Sequence, residues 1–233
     1  MGWIKFKNQS SEIYGIMKLV PFIPTAEVSV DTVEIPYGTP VTIKKGYKQI
    51  ITPTFTLGIN NMSQQNIYNI YDWLHGDGEL ITSKEPNVCF KAEIYSALTI
   101  RRLSERLGEL DFQFSCDPFR YDVNNDIETV DFTESESQRH AAIKNEGNMT
   151  AYPEFEITAS DNFTVWINGR YESINYGSGT YKISTEYCSV IKDGVIISVN
   201  PNWNNLSLKP GDNGLTVTKS VTEFKIRKNV RWH

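Results

Sequence analysis

The sequence predicts a mostly β protein built from two units, and three observations carry that prediction. Short runs rich in Val, Ile, Thr, Tyr and Phe recur along the chain, turn-forming dipeptides separate them, and a single stretch has helical spacing. β-Branched and aromatic side chains suit a half-buried pleated surface, and regular short strands with glycine turns indicate sandwiches. At 233 residues, 39% hydrophobic and 22% charged, the composition is that of an ordinary globular protein with room for one large all-β domain or two smaller ones.

Up to Gly58 the chain reads as strands broken by Pro21, Pro24, Pro36 and Pro40. Residues 13–17 and 27–30 are short strand candidates, and 36–40 reads as an exposed turn because its two prolines remove backbone donors. Residues 49–57 resume β-branched character, with Pro53 predicting an edge strand or a bulge. One helix follows. Ser63 is its expected N-cap, Met62 and Ile67 form a hydrophobic staple, and Ile67, Ile70, Tyr71 and Leu74 make one apolar stripe. Gly76 and Gly78 are expected to end it.

Strands return at 78–81, 88–95 and 100–103, and Leu110, Phe112 and Phe114 alternate with polar neighbours as one face of a further strand. Residues 122–146 are acidic and poor in large apolar side chains, so the domain boundary is expected there, with 1–130 as the first domain and 131–233 as the second. In the second, 155–158, 163–167, 181–183, 195–197 and 215–217 read as strands. Asn168-Gly169, Gly177-Ser178-Gly179, Asp193-Gly194 and the 210–214 stretch are the turns between them, giving a sandwich or jelly roll. The basic C-terminal run from Lys219 to Arg231 alternates with Phe224 and Ile226, as a solvated strand face does.

Composition also limits function. A net charge of −5 argues against a basic nucleic-acid surface. No segment has the apolar length of a membrane span, and no leader pattern opens the chain, so a protein made in the cytoplasm without a membrane role is expected. Cys89, Cys116 and Cys188 share no close spacing and read as reduced, buried thiols. His75, His140 and His233 fall outside any metal-ligand or catalytic motif and are expected on the surface, and no nucleophile elbow or phosphate loop is present. Gly76-Asp77-Gly78 follows a helix instead of preceding one, which makes it a helix stop. The sequence therefore names no catalytic residue, no metal ligand and no cofactor, and the expectation is that the chain is not an enzyme. The carboxylates leave a glycosidase pair formally open. Trp166, Tyr171, Tyr176, Tyr187 and Trp203 are expected in the core. The alternative is a carbohydrate-binding β-sandwich module, with Trp166 and Tyr171 stacking on sugar. Five N-x-[ST] matches, from Asn8 to Asn205, are read as chance.

Several ordered motifs resemble the distal tail proteins of long, non-contractile tailed phages and prophages. Residues 71–81, with Trp73-Leu74 before the glycine turn, are similar to that family's helix and following strand. Residues 108–119 resemble its closing strand and Cys-x-Pro-Phe corner, and 145–157 the start of its second domain. Ile167-Asn168-Gly169, residues 208–213 and Arg231-Trp232 follow in order. Asn202 to Leu206 stands where the family usually has a proline loop.

The resemblance implies a tail-tube-like β-sandwich with one α-helix and a β-hairpin arm, followed by a galectin-like β-sandwich. It implies a homo-hexameric ring at the virion tail tip, joining the tail tube protein to the tail-associated hub protein or baseplate. Under that reading DNA only passes through the lumen, the second domain lies outside the ring, and its small size makes the chain a connector, not an adhesin. The candidate inter-subunit arm is Pro36 to Gly46, with Pro36, Tyr37, Gly38, Lys44, Lys45 and Gly46 as its candidate residues.

Overall fold

The structure is a computed structural model, and it describes residues 2–233. It is mostly β, with one α-helix among the described residues. Its contacts divide the chain into two compact units: the residues up to Val123 together with His233, and Asn124–Trp232. Residues 124–130 thus group with the second unit, ahead of the boundary expected at 130/131. The reason is a strand, Glu128–Thr129, that pairs with the C-terminal strand Val221–Arg227.

The first unit contains β1 (Ile4–Phe6), β2 (Gln9–Ser10), β3 (Gly15–Leu19), β4 (Val28–Val33), β5 (Val41–Tyr47), β6 (Ile50–Ile51) and β7 (Phe55–Ile59). After α1 (Gln64–Leu74) come β8 (Gly76–Thr82), β9 (Glu85–Ile94), β10 (Ile100–Arg102), β11 (Gly108–Phe112), β12 (Ser115–Cys116) and β13 (Arg120–Asp122). One sheet runs β2-β1-β8-β9-β12-β6, with β13 also pairing β9, and a second runs β10-β11-β7-β3. The two sheets share one core. At its centre Phe6 meets Phe114 with ring centroids 5.0 Å apart, and Phe55 and Phe112 each lie 5.6 Å from Phe114. Each such ring contributes about 1.5–3 kcal/mol by leaving water.

The helix begins as its sequence requires. Ser63 Oγ accepts from the Asn66 amide, and Asn61 Oδ1 accepts from the Ser63 amide at 3.0 Å. Its buried face is Ile70, Trp73 and Leu74, while Ile67 and Tyr71 are only partly covered. Trp73 displaces Tyr71 from the expected stripe because its indole N–H reaches the Phe6 carbonyl at 3.0 Å and its ring stacks on Tyr14. The helix ends at His75, whose backbone is already extended (φ −80°, ψ 135°), and Gly76, at φ 81°, follows as the first residue of β8. Gly78 serves another purpose. A Cβ there would sit 2.6 Å from Lys7 Cγ, so the glycine permits the close approach of β1 to β8. Pro53 lies in no strand, and follows β6, which is at the edge of its sheet. It falls between β6 and β7, where the chain leaves one sheet for the other, and β7 is a central strand.

The second unit holds β14 (Glu128–Thr129), β15 (Thr133–Glu134), β16 (Gln138–Asn145), β17 (Glu154–Ala159), β18 (Phe163–Ile167), β19 (Arg170–Ile174) and β20 (Gly179–Ser184). These are followed by β21 (Ser189–Lys192), β22 (Val195–Ile197), β23 (Gly211–Thr218), β24 (Val221–Arg227) and β25 (Arg231–Trp232). Two antiparallel sheets, β14-β24-β17-β20-β21-β22 and β15-β16-β23-β18-β19, enclose a core that includes Phe155, Phe163, Tyr181 and Phe224. Asn168-Gly169 and Asp193-Gly194 are two-residue turns with positive φ at both positions, the geometry their sequence predicts.

Several expectations fail in this unit. The acidic stretch hides β16, which is fully paired with β23. Cys188 is exposed, unlike buried Cys89 and Cys116, because it occupies a left-handed turn position (φ 51°) between β20 and β21. The 210–214 turn is also shorter than expected, since β23 already begins at Gly211.

Candidate functional site

The arm residues form one hairpin. β4 and β5 pair with each other and, among the described residues, with no other strand. Its base is anchored: Val28 faces Tyr47, Lys48 N–H donates to the Glu27 carbonyl, and Tyr47 packs against Phe119 and the His233 ring. Beyond the base the hairpin is open to solvent on both faces. Val33 pairs with Val41, Asp31 pairs with Ile43, and Ile35 adjoins the turn. The side chains of Val33, Ile35, Val41 and Ile43 are each 47–49% exposed.

At the tip, the Gly38 amide donates to the Ile35 carbonyl at 2.9 Å, closing a turn with Pro36 and Tyr37 at its centre. Pro36 suits the first central position of a type II turn, but the second calls for positive φ, usually glycine or asparagine. Tyr37 occupies it at φ 61° with its ring fully exposed. A non-glycine residue there costs about 1–2 kcal/mol, and such strain clusters at functional positions. Lys45 forms an ion pair with Asp31, and Lys44 lies opposite Val30. Gly46, at φ 140°, sits where the register shifts between Ser29 and Val30, a bulge that redirects the hairpin.

The first unit also carries an acidic cleft of about 390 Å³, with Asp77, Glu79, Glu93 and Asp117 around Lys91. The Tyr95 phenol beside it has a raised pKa, first because it is hydrogen-bonded to Glu93. Across the four-stranded sheet, Glu109 receives Lys18 at 2.8 Å and also pairs with Arg101. Those two cations hold its carboxyl below the usual carboxylate range. Among the described residues no cluster of His, Cys, Asp or Glu could hold a metal ion, and no helix is long and apolar enough to cross a membrane.

Trp166 and Tyr171, expected in the core, face outward. They are cross-strand partners on β18 and β19, with ring centroids 6.2 Å apart. Tyr171 is 59% exposed and Trp166 partly buried; Tyr176 and Tyr187 are exposed too, and Trp203 is partly buried against the core. The sequence contained the signal, because Phe163, Val165 and Ile167 alternate inward and leave Thr164 and Trp166 outside. A two-residue Asn-Gly turn then sets Tyr171 opposite Trp166.

Sequence reasoning missed the rest of this row. Trp166 faces Thr216, Thr216 faces His140 and His140 faces Thr133, so one line of outward side chains crosses all five strands. His140 Nδ1 lies 2.9 Å from Thr216 Oγ1. Beside the row, Ala142 and Gly214 face each other, and a Cβ on Gly214 would meet nothing within 4 Å. The end of this face is clasped by buried Asn213, which donates to the Lys209 and Gly211 carbonyls and accepts from the Lys209 amide and from Asn168. Asn168 in turn accepts from the Gly214 amide.

No protein-family model matches the sequence, and no curated protein matches it. Among solved structures, the fold is similar to that of the SPP1 Dit (gp 19.1) protein, described as a paradigm of the hub adsorption apparatus in phages infecting Gram-positive bacteria. The TM-score is 0.72 at 14% identity, covering 97% of this chain and 97% of that one. Over nearly its whole length, the chain has the distal-tail-protein fold.

Proposed function

We propose that the chain is a structural component of a phage tail tip, a distal tail protein that closes into a hexameric ring between the tail tube and the hub. The observation that carries this reading is the fold shared with the SPP1 Dit protein over 97% of both chains. A cyclic ring needs a heterologous interface, in which one patch of each subunit meets a different patch of the next. The β4–β5 hairpin supplies a suitable patch: a two-stranded ribbon is marginal alone in water, and this one presents half-exposed valine and isoleucine with no partner strand among the described residues of its own chain.

In this reading the first unit forms the ring, with the tail tube protein on one face and the tail-associated hub protein on the other. The second is a galectin-like sandwich. The chain is made in the host bacterial cytoplasm and ends at the virion tail tip. DNA passes through the lumen without specific binding, and the acidic cleft around Asp77 and Glu93 is in keeping with a surface that repels a polyanion.

Light scattering and negative-stain imaging test the proposal. The expected result is a six-membered ring with a central hole, alone or with tail tube protein added. Deleting 36–46 should leave folded monomers. A monomer under every one of these conditions refutes the ring, and an unchanged oligomer after the deletion refutes the arm.

A further inference from the structure

We infer that the outer face of the β15-β16-β23-β18-β19 sheet is a binding site for a neutral oligosaccharide, with Trp166 and Tyr171 as its stacking platform. The inference is independent of the ring.

The face has the two chemistries that a sugar requires. A pyranose ring shows a patch of C–H groups on one side and hydroxyls around its rim. Aromatic rings cover the first, as the adjacent Trp166 and Tyr171 can, and hydrogen-bonding side chains satisfy the second. Here those are the Thr216 hydroxyl and His140 imidazole in the same row. The Thr164 and Ser173 hydroxyls, 2.9 Å apart, add a second hydrogen-bonding pair in the next outward row. The outward positions of these rows carry no carboxylate, lysine or arginine; further along the same face, Lys144 opposite Asp212 lies beyond Ala142 and Gly214. Rows without carboxylate, lysine or arginine favour a neutral ligand over a charged one.

Shape points the same way. Ala142 and Gly214 leave a bare floor next to Trp166, where a ring can lie against backbone. The row from Thr133 to Tyr171 spans five strands, about 19 Å at the usual strand spacing, which suits a short chain of sugars better than a single ring. Exposed aromatics in a sandwich have a cost in water, and two of them side by side on an otherwise polar sheet mark a contact surface. The hydroxyl and imidazole surroundings favour a glycan over a protein, whose contact surfaces are apolar at their centre.

The test uses the full chain and three neutral probes, cellohexaose, chitohexaose and maltohexaose, with a hyaluronan hexasaccharide as the charged comparison. Binding is read by calorimetry and by tryptophan fluorescence. At least one neutral probe should bind at millimolar concentration or better. Trp166→Ala should weaken it about tenfold or more, the scale of a lost stacking contact. Gly214→Gln should weaken it similarly by filling the floor; its φ is not positive and the space is open, so the variant should melt as the wild type does. Four outcomes overturn the inference: no neutral probe bound, binding untouched by both substitutions, tighter binding of hyaluronan, or loss of self-association in Trp166→Ala without any saccharide bound. The last would make the face a protein contact.

Discussion

Replacing Val33, Ile35, Val41 and Ile43 together by threonine tests the arm without removing it. Threonine keeps the β-branch, and with it the strand preference of β4 and β5. The four side chains are 47–49% exposed in the single subunit, so about half of each remains to be buried by a neighbour. Full burial of a valine or isoleucine is worth about 1.5–3 kcal/mol, which leaves about 1 kcal/mol per side chain for the interface. Threonine retains one methyl group, so the set should forfeit about 2–4 kcal/mol per contact. At about 1.4 kcal/mol for each factor of ten, the subunit dissociation constant should rise roughly 30- to 1000-fold. Sedimentation velocity over a dilution series reads that shift directly. Thermal unfolding of the monomer should barely change, since none of the four belongs to the buried core. An association curve that coincides with the wild type would show that the arm's apolar side chains do not mediate assembly.

Other consequences can be measured on the isolated protein. Tyr37→Gly should relieve about 1 kcal/mol of left-handed backbone cost, slowing amide exchange in β4 and β5 about fivefold by mass spectrometry; faster exchange would contradict the strain argument. With a brief pulse of iodoacetamide near pH 8, Cys188 should be alkylated while Cys89 and Cys116 stay intact. Burial is the main reason their thiols are pushed up to about 11 and about 12, and equal labelling of all three would refute that. Glu109 has a folded-state pKa lowered by Lys18 and Arg101. Its contribution is therefore full above the ordinary carboxylate value and lost as pH falls through the lowered one. Glu109→Gln should flatten the acid side of a melting-temperature profile below about pH 4.5, and two parallel profiles would show that the pairing is not coupled to folding.

The elements that could be read from the sequence are those whose signal is local. Ser63 and the Asn168-Gly169 turn behave as their chemistry requires because a cap or turn is decided within a few residues. β16 escaped notice for a physical reason. Its inward positions are Ala141, Ile143 and Asn145, and the last is buried by hydrogen bonds to the Met149 and Leu208 carbonyls. A strand that meets the core through one isoleucine, a small residue and a satisfied amide has little hydrophobic alternation to display. Without β16, His140 reads as a surface residue of the acidic stretch, and its row with Thr216 and Trp166 cannot be assembled. Residue type alone puts Trp166 in the core, whereas the alternation of its neighbours places it outside. Pro53 shows the converse limit: it correctly marks a break, but whether a break means an edge or a change of sheet depends on partners far along the chain.

The clasp around Asn213 has a bearing on selectivity. Because one buried amide binds both the 209–211 turn and the Asn168 turn, those two loops cannot move independently. A surface with such a fixed rim loses little entropy when something settles on it. It also cannot reshape itself around a ligand of the wrong outline. Any discrimination at that end of the sheet would come from rigid fit, so sugars differing in a single linkage bend should be told apart there without a loop having to close.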